Sequence, residues 1–143
     1  RSSGFNSPDS YVEDGFLFTE TVDPNPNNSY DWGIRPLTFA LPLPGSDADN
    51  ELTFGNSGVT VRMELESGDS FSLISVVRDV ASLNGSLTLM GSDGTTMLIE
   101  KNLNLFGAST TYDISAFDNI DYLDITSNPG GSFMGLDDFM YIA

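Results

Sequence analysis

The amino-acid sequence predicts an all-β protein, an antiparallel β-sandwich, on three observations. Apolar and polar residues alternate with a period of two along many short stretches. Helical periodicity never holds for more than about two turns. Turn signals rich in Gly, Ser, Asn and Asp separate the stretches at regular intervals, the spacing of a sandwich or a barrel. With 143 residues, 39% hydrophobic and 18% charged, the chain is long enough for one domain with a real core, and its balance is globular rather than disordered.

In chain order, Gly15 to Glu20 and Leu37 to Leu41 read as strands, separated by a Pro- and Asn-rich loop from Val22 to Arg35; a second such loop runs from Pro42 to Asn50. Between Gly58 and Glu66 the alternation is cleanest. Val59, Val61, Met63 and Leu65 point one way, and Thr60, Arg62, Glu64 and Glu66 the other, as in a half-buried strand. Ser67-Gly68-Asp69-Ser70 then leads into Phe71 to Val77, an almost continuous apolar run suited to a central strand, and the two strands are expected to form a hairpin.

A second hairpin is expected from Ser86 to Met90, through Gly91-Ser92-Asp93-Gly94, into Thr95 to Glu100, with Asp-Gly supplying the positive φ angles of a tight turn. Leu103 to Phe106, Thr110 to Ile114, Tyr122 to Thr126 and Leu136 to Ile142 complete the series. Phe71, Phe106, Phe117, Phe133 and Phe139 are expected in the core, with Met63, Met90, Met97, Met134 and Met140 as interior fillers.

Charge narrows the partners. Lys plus Arg number 5 against 21 Asp plus Glu, a net charge of −16, which repels nucleic acid and anionic membranes and favours a neutral glycan over a sulfated one. There is no cysteine, so disulfides and thiolate metal sites are excluded, and no apolar run is long enough to span a bilayer. The abundance of Asp and Asn leans towards an extracellular, secreted protein. The first residue is Arg1, without a signal-peptide pattern, so the chain is expected to be an excised module of a larger secreted protein.

Three stretches carry a resemblance. Tyr11-Val12-Glu13-Asp14-Gly15-Phe16-Leu17-Phe18 resembles the opening Y-x-E-x-G-F-x-F strand of a large group of bacterial exported β-sandwich domains. Val59 to Ala81 resembles their central hairpin, and Met134-Gly135-Leu136-Asp137-Asp138-Phe139 their closing strand. Domains of this kind, jelly-roll in type, occur as carbohydrate-binding modules beside polysaccharide-degrading enzymes. The resemblance therefore implies a monomeric polysaccharide-binding module attached to a catalytic domain. It also implies a structural calcium tying first strand to last, through Glu13 and Asp137 with Asp14 or Asp9 completing the set. Oxygen ligands of this kind suit that hard cation, although Glu13 and Asp14 could equally cap an edge strand.

The residues themselves offer little for catalysis. With no His and no Cys, a neutral-pH imidazole base and a thiolate nucleophile are both absent, and Ser-His-Asp chemistry is excluded. Among 21 acidic residues some pair always suits glycoside hydrolysis, so their number decides nothing. A lyase pairing Tyr30 or Tyr112 with Arg35 or Arg78 is the remaining enzymatic alternative.

Sugar binding needs aromatic faces and groups that reach hydroxyls. The segment Asn27 to Arg35 supplies both, with Trp32 as the leading contact beside Tyr30, Asp31 and Arg35; Trp32 could instead plug one end of the core. Arg78 reads either as a surface salt bridge at a strand end or as a saccharide contact on the concave face, with Asp49, Asn50 and Asn56 added from nearby loops. An adhesion or matrix domain associating through its strand edges is the alternative to a glycan binder.

Overall fold

The structure is a computed structural model and describes residues 10–13, 15–22, 32–36, 50–54, 58–78, 85–101, 110–129 and 134–143. Among them are eleven strands and no helix: β1 (Ser10–Glu13), β2 (Phe16–Val22), β3 (Trp32–Pro36), β4 (Asn50–Phe54), β5 (Thr60–Leu65), β6 (Ser72–Arg78), β7 (Gly85–Gly91), β8 (Thr96–Lys101), β9 (Thr110–Asp113), β10 (Leu123–Ser127) and β11 (Met134–Ile142). A wide sheet of six strands has the order β1-β2-β5-β10-β7-β8, and a narrow sheet of five the order β3-β4-β11-β6-β9. Every pairing is antiparallel.

The alternation in the sequence explains the layers. Val61, Met63 and Leu65 of β5, Leu87 and Leu89 of β7, and Leu123 and Ile125 of β10 are buried on one side of the wide sheet. Leu73 and Val76 of β6, Leu52 of β4 and Leu136 of β11 are buried in the narrow one, and all belong to a single core cluster. The two sheets thus face each other in a sandwich-like arrangement. At one end the Phe16 ring packs edge-on against Phe71 and Tyr141, with centroids 5.2 and 4.7 Å away. Removing each such large apolar side chain from water contributes about 1.5–3 kcal/mol.

The hairpin expected between residues 58–66 and 71–77 does not form. β5 lies in the wide sheet between β2 and β10, and β6 in the narrow sheet between β11 and β9. Either arrangement buries the same faces, so alternation alone cannot separate them. What carries the chain across is local. The Gly68 amide donates to the Leu65 carbonyl at 2.9 Å, closing a turn, and Phe71 then exchanges two backbone hydrogen bonds with Ile120 at 2.8 and 2.9 Å.

The β7–β8 hairpin forms as expected, from Gly85↔Lys101 to Met90↔Thr96. Its turn has Gly94 at φ +90°, and the Asp93 carboxylate accepts the Thr95 amide at 2.9 Å. At Gly91 a side chain would collide with the Phe117 ring, which packs under the turn.

One strand was hidden in a segment read as a loop, and another lies mostly where no element was expected. β3 occupies residues 32–36 and β4 begins at Asn50. Gly33 and Pro36 weigh against a strand locally, but β3 is an edge, where a proline is tolerated. Leu37 to Leu41, Leu103 to Phe106 and Phe133 lie outside the described residues.

Met90 and Met140 are corrections too, at 49% and 57% exposure, whereas Met63 is buried and Met97 packs on the core. Met90 follows inward-facing Leu89 by one residue. Met140 follows a bulge at which Asp138 adopts φ +49° and the register with β6 shifts; Phe139, on the other side, packs against the core.

Candidate functional site

The wide sheet buries one face and presents the other. On that outer face β5 contributes Thr60 and Arg62, β10 Asp124 and Thr126, and β7 Thr88 and Met90, each set two residues apart as the pleat requires. Register aligns them into rows running across the strands. One row is Val22, Thr60, Thr126 and Thr88; the next is Thr19, Arg62, Asp124 and Met90. Neighbouring positions in a row are about 4.8 Å apart.

The second row holds a fixed ion pair. Arg62 donates from Nε to Asp124 Oδ1 at 2.9 Å and from the Nη2 group to Oδ2 at 3.0 Å, and its guanidinium carbon lies 3.6 Å from the centre of the Tyr122 ring. The hydrogen bonds to Asp124 hold the Arg62 pKa above its ordinary value, against the partial desolvation that would lower it. In the first row Thr60 and Thr126 hydroxyls are 2.7 Å apart, and the Asn128 amide donates to Thr88 and Ser86 hydroxyls at 2.9 and 3.0 Å.

Eight of these residues, Val22, Thr60, Arg62, Thr88, Met90, Asp124, Thr126 and Asn128, line an open groove of about 500 Å³ together with Thr21. Its floor is polar and half-buried, with Arg62 and Asp124 side chains 33% and 20% exposed. Its rims are apolar and exposed: Val22 at 52% and Met90 at 49%. Chemically the floor offers hydroxyls that donate or accept, an amide that does both, a planar cation and a carboxylate.

Of the residues singled out from the sequence, those that the structure describes fall elsewhere. Arg78 is fully buried between the sheets, because it follows inward-facing Val76 by two residues on β6. Its Nη1 group donates across the core to the Ile99 carbonyl of β8 at 3.3 Å. Burial pushes its pKa below the ordinary value, partly countered by Tyr112 and Glu100. Arg78 is therefore neither a surface salt bridge nor a saccharide contact. The Tyr112 hydroxyl donates to the neighbouring Glu100 carbonyl, so the Tyr112–Arg78 pair considered for lyase chemistry ties the narrow sheet to β8.

Trp32 opens β3, the edge of the narrow sheet, with Arg35 on the same strand and Asn50 opposite Pro36 on β4. Tyr30, Asp31, Asp49, Asn56, Asp14 and Asp9 lie outside the described residues. Glu13 lies on β1 of the wide sheet and Asp137 on β11 of the narrow one. Glu13 pairs with Phe16, whose ring meets Tyr141, while Asp137 pairs with Val77, four residues of β6 beyond the partner of Tyr141, or about 13 Å. From its Tyr141 end over β2, β11 also heads away from β1, since Leu136 pairs with Arg78, which reaches β8. Among the described residues no group of three or more acidic side chains is placed to hold a metal.

The sequence reading put Arg62 on the outward face of its strand but missed its partner. Asp124 lies 62 positions away and is set beside it only by the β5–β10 register. No protein-family model matches the chain, and a search of curated proteins found no match.

Proposed function

We propose that the chain is a non-catalytic carbohydrate-binding module, a β-sandwich of jelly-roll type that holds a neutral polysaccharide on the outer face of its wide sheet. The groove over β2, β5, β10 and β7 carries this reading. A pyranose has hydroxyls around its rim and C–H groups on its faces. Thr60, Thr88, Thr126 and Asn128 can exchange hydrogen bonds with the first, and Val22 and Met90 can meet the second. A net charge of −16 works against a polyanion in the same place. The burial of Arg78 and the engagement of Tyr112 support a binding rather than a catalytic role. The setting that follows is an exported protein in which this module accompanies a catalytic domain.

The test is incubation with a panel of neutral and acidic polysaccharides, scoring retention and product release. Retention on a neutral polysaccharide is expected without release, at affinities of roughly micromolar to millimolar. Thr126→Val should weaken it and Trp32→Ala should not. Loss of retention in Trp32→Ala alone would return the contact surface to the Tyr30 to Arg35 segment. Product release would overturn the reading, and self-association without glycan retention would favour the adhesion domain.

A further inference from the structure

Resting on that reading, we infer that Arg62 is the specificity-determining group of the groove and that, with Asp124, it reads two adjacent hydroxyls of a neutral pyranose. Arg62 is pinned by two hydrogen bonds to Asp124 and by the Tyr122 ring beneath it, so it reaches a ligand with little side-chain entropy left to lose. A guanidinium has five N–H donors, and the fork uses two of them. Each Asp124 oxygen accepts one of those bonds and retains capacity for another. The floor therefore sets a fixed donor directly beside a fixed acceptor.

Adjacent sugar hydroxyls are the complementary pattern, because each hydroxyl both accepts and donates. One oxygen accepts from Arg62 while its neighbour donates to Asp124. The pair is electrically balanced, and Glu64 on the same face of β5 adds negative charge near Arg62. A sugar carboxylate would gain one partner and be opposed by two. The Thr60, Thr126 and Thr88 row runs beside the Arg62 and Asp124 row, so the polysaccharide lies across the strands. From β2 to β7 it crosses three inter-strand steps, about 14 Å.

The experiment is calorimetric titration of the purified chain with cello-, manno- and xylo-oligosaccharides, their 2,3-di-O-methyl derivatives, and an oligogalacturonate. Wild type, Arg62→Lys and Asp124→Asn are compared, with melting curves to establish that each variant folds. The wild type is expected to bind a neutral oligosaccharide and to lose about tenfold or more in affinity when the diol is methylated, since a site built for hydroxyls leaves its own groups unpaired against an analogue that lacks them. Arg62→Lys, which keeps the charge and loses the fork, is expected to lose a similar factor. Unchanged affinity for the methylated ligand, unchanged affinity in Arg62→Lys, or tighter binding of the oligogalacturonate would overturn the inference. The methylation comparison uses wild type alone and so holds even if a variant fails to fold. Binding of no oligosaccharide at all would instead refute the functional reading.

Discussion

Replacing Gly91 by alanine should destabilise the fold through a collision that the buried side chains beneath it cannot relieve. A Cβ at this position would stand 2.9 Å from Asp93 Oδ1 and from Phe117 Cδ1, and 3.2 Å from Ile120 Cγ2. Asp93 is exposed and can turn away, but Phe117 and Ile120 are fully buried and surrounded. Overpacking of this kind costs about 1–3 kcal/mol. The alanine recovers about 0.4–1 kcal/mol by restricting the unfolded chain, leaving a net loss of about 1–2 kcal/mol. For a chain of this length that lowers Tm by about 3–7 °C. Urea denaturation gives the free energy and calorimetry the Tm. The mechanism is tested by a Phe117→Leu background, which makes room below the turn and should reduce the Gly91→Ala penalty. Gly94→Ala, with φ +90° and no atom within 4 Å of its new Cβ, pays only backbone strain and should be indifferent to that background. A Gly91→Ala protein as stable as wild type, or a penalty unchanged by Phe117→Leu, would refute the reasoning.

Three further outcomes are expected. The Ser115 hydroxyl and amide both donate to Asp113, at 2.6 and 2.9 Å, and hold its carboxyl below the ordinary range. Its stabilising contribution is thus present above the unfolded carboxylate pKa and is lost as pH falls through the depressed value; Ser115→Ala should move an NMR titration of Asp113 upward, and an unmoved curve would count against the bonds. A double-mutant cycle on Arg62 and Asp124 should give a coupling of about 0.5–1 kcal/mol to stability, falling in 1 M salt, roughly the upper end for partly exposed pairs. Glu13→Gln and Asp137→Asn should change stability additively, within about 0.5 kcal/mol, with or without added calcium. A larger coupling would mean that one ion joins them despite the register.

Where strand chemistry is local, it could be read from the sequence. The β7–β8 hairpin was legible because Asp93 and Gly94 specify their own turn. The inward and outward faces of β5 were legible from alternation. The choice of neighbour was not: Val59 to Leu65 and Phe71 to Val77 carry the same apolar faces whether they pair or oppose each other across a core. Arg78 misled because a cation ending an apolar run resembles a strand entering solvent, although its place two residues after Val76 already set it inward. Met140 misled because the bulge at Asp138 changes the phase of β11, and nothing in the local pattern marks that. The groove needed the joining of strands distant in sequence, so Arg62 was visible as an outward residue and invisible as half of a pair.

The ties that Arg78 and Tyr112 make to β8 have a consequence for association between molecules. β8 is the last strand of the wide sheet, the position to which another chain would add by backbone pairing. In an antiparallel ladder successive carbonyls along a strand point alternately to the partner and to the open side. Ile99 and Glu100 are successive, so at least one of the carbonyls held from the narrow sheet belongs to that open side. A side chain of the same molecule thereby engages an acceptor that lateral fibril growth would use, and backbone pairing along this margin meets a competitor at that residue.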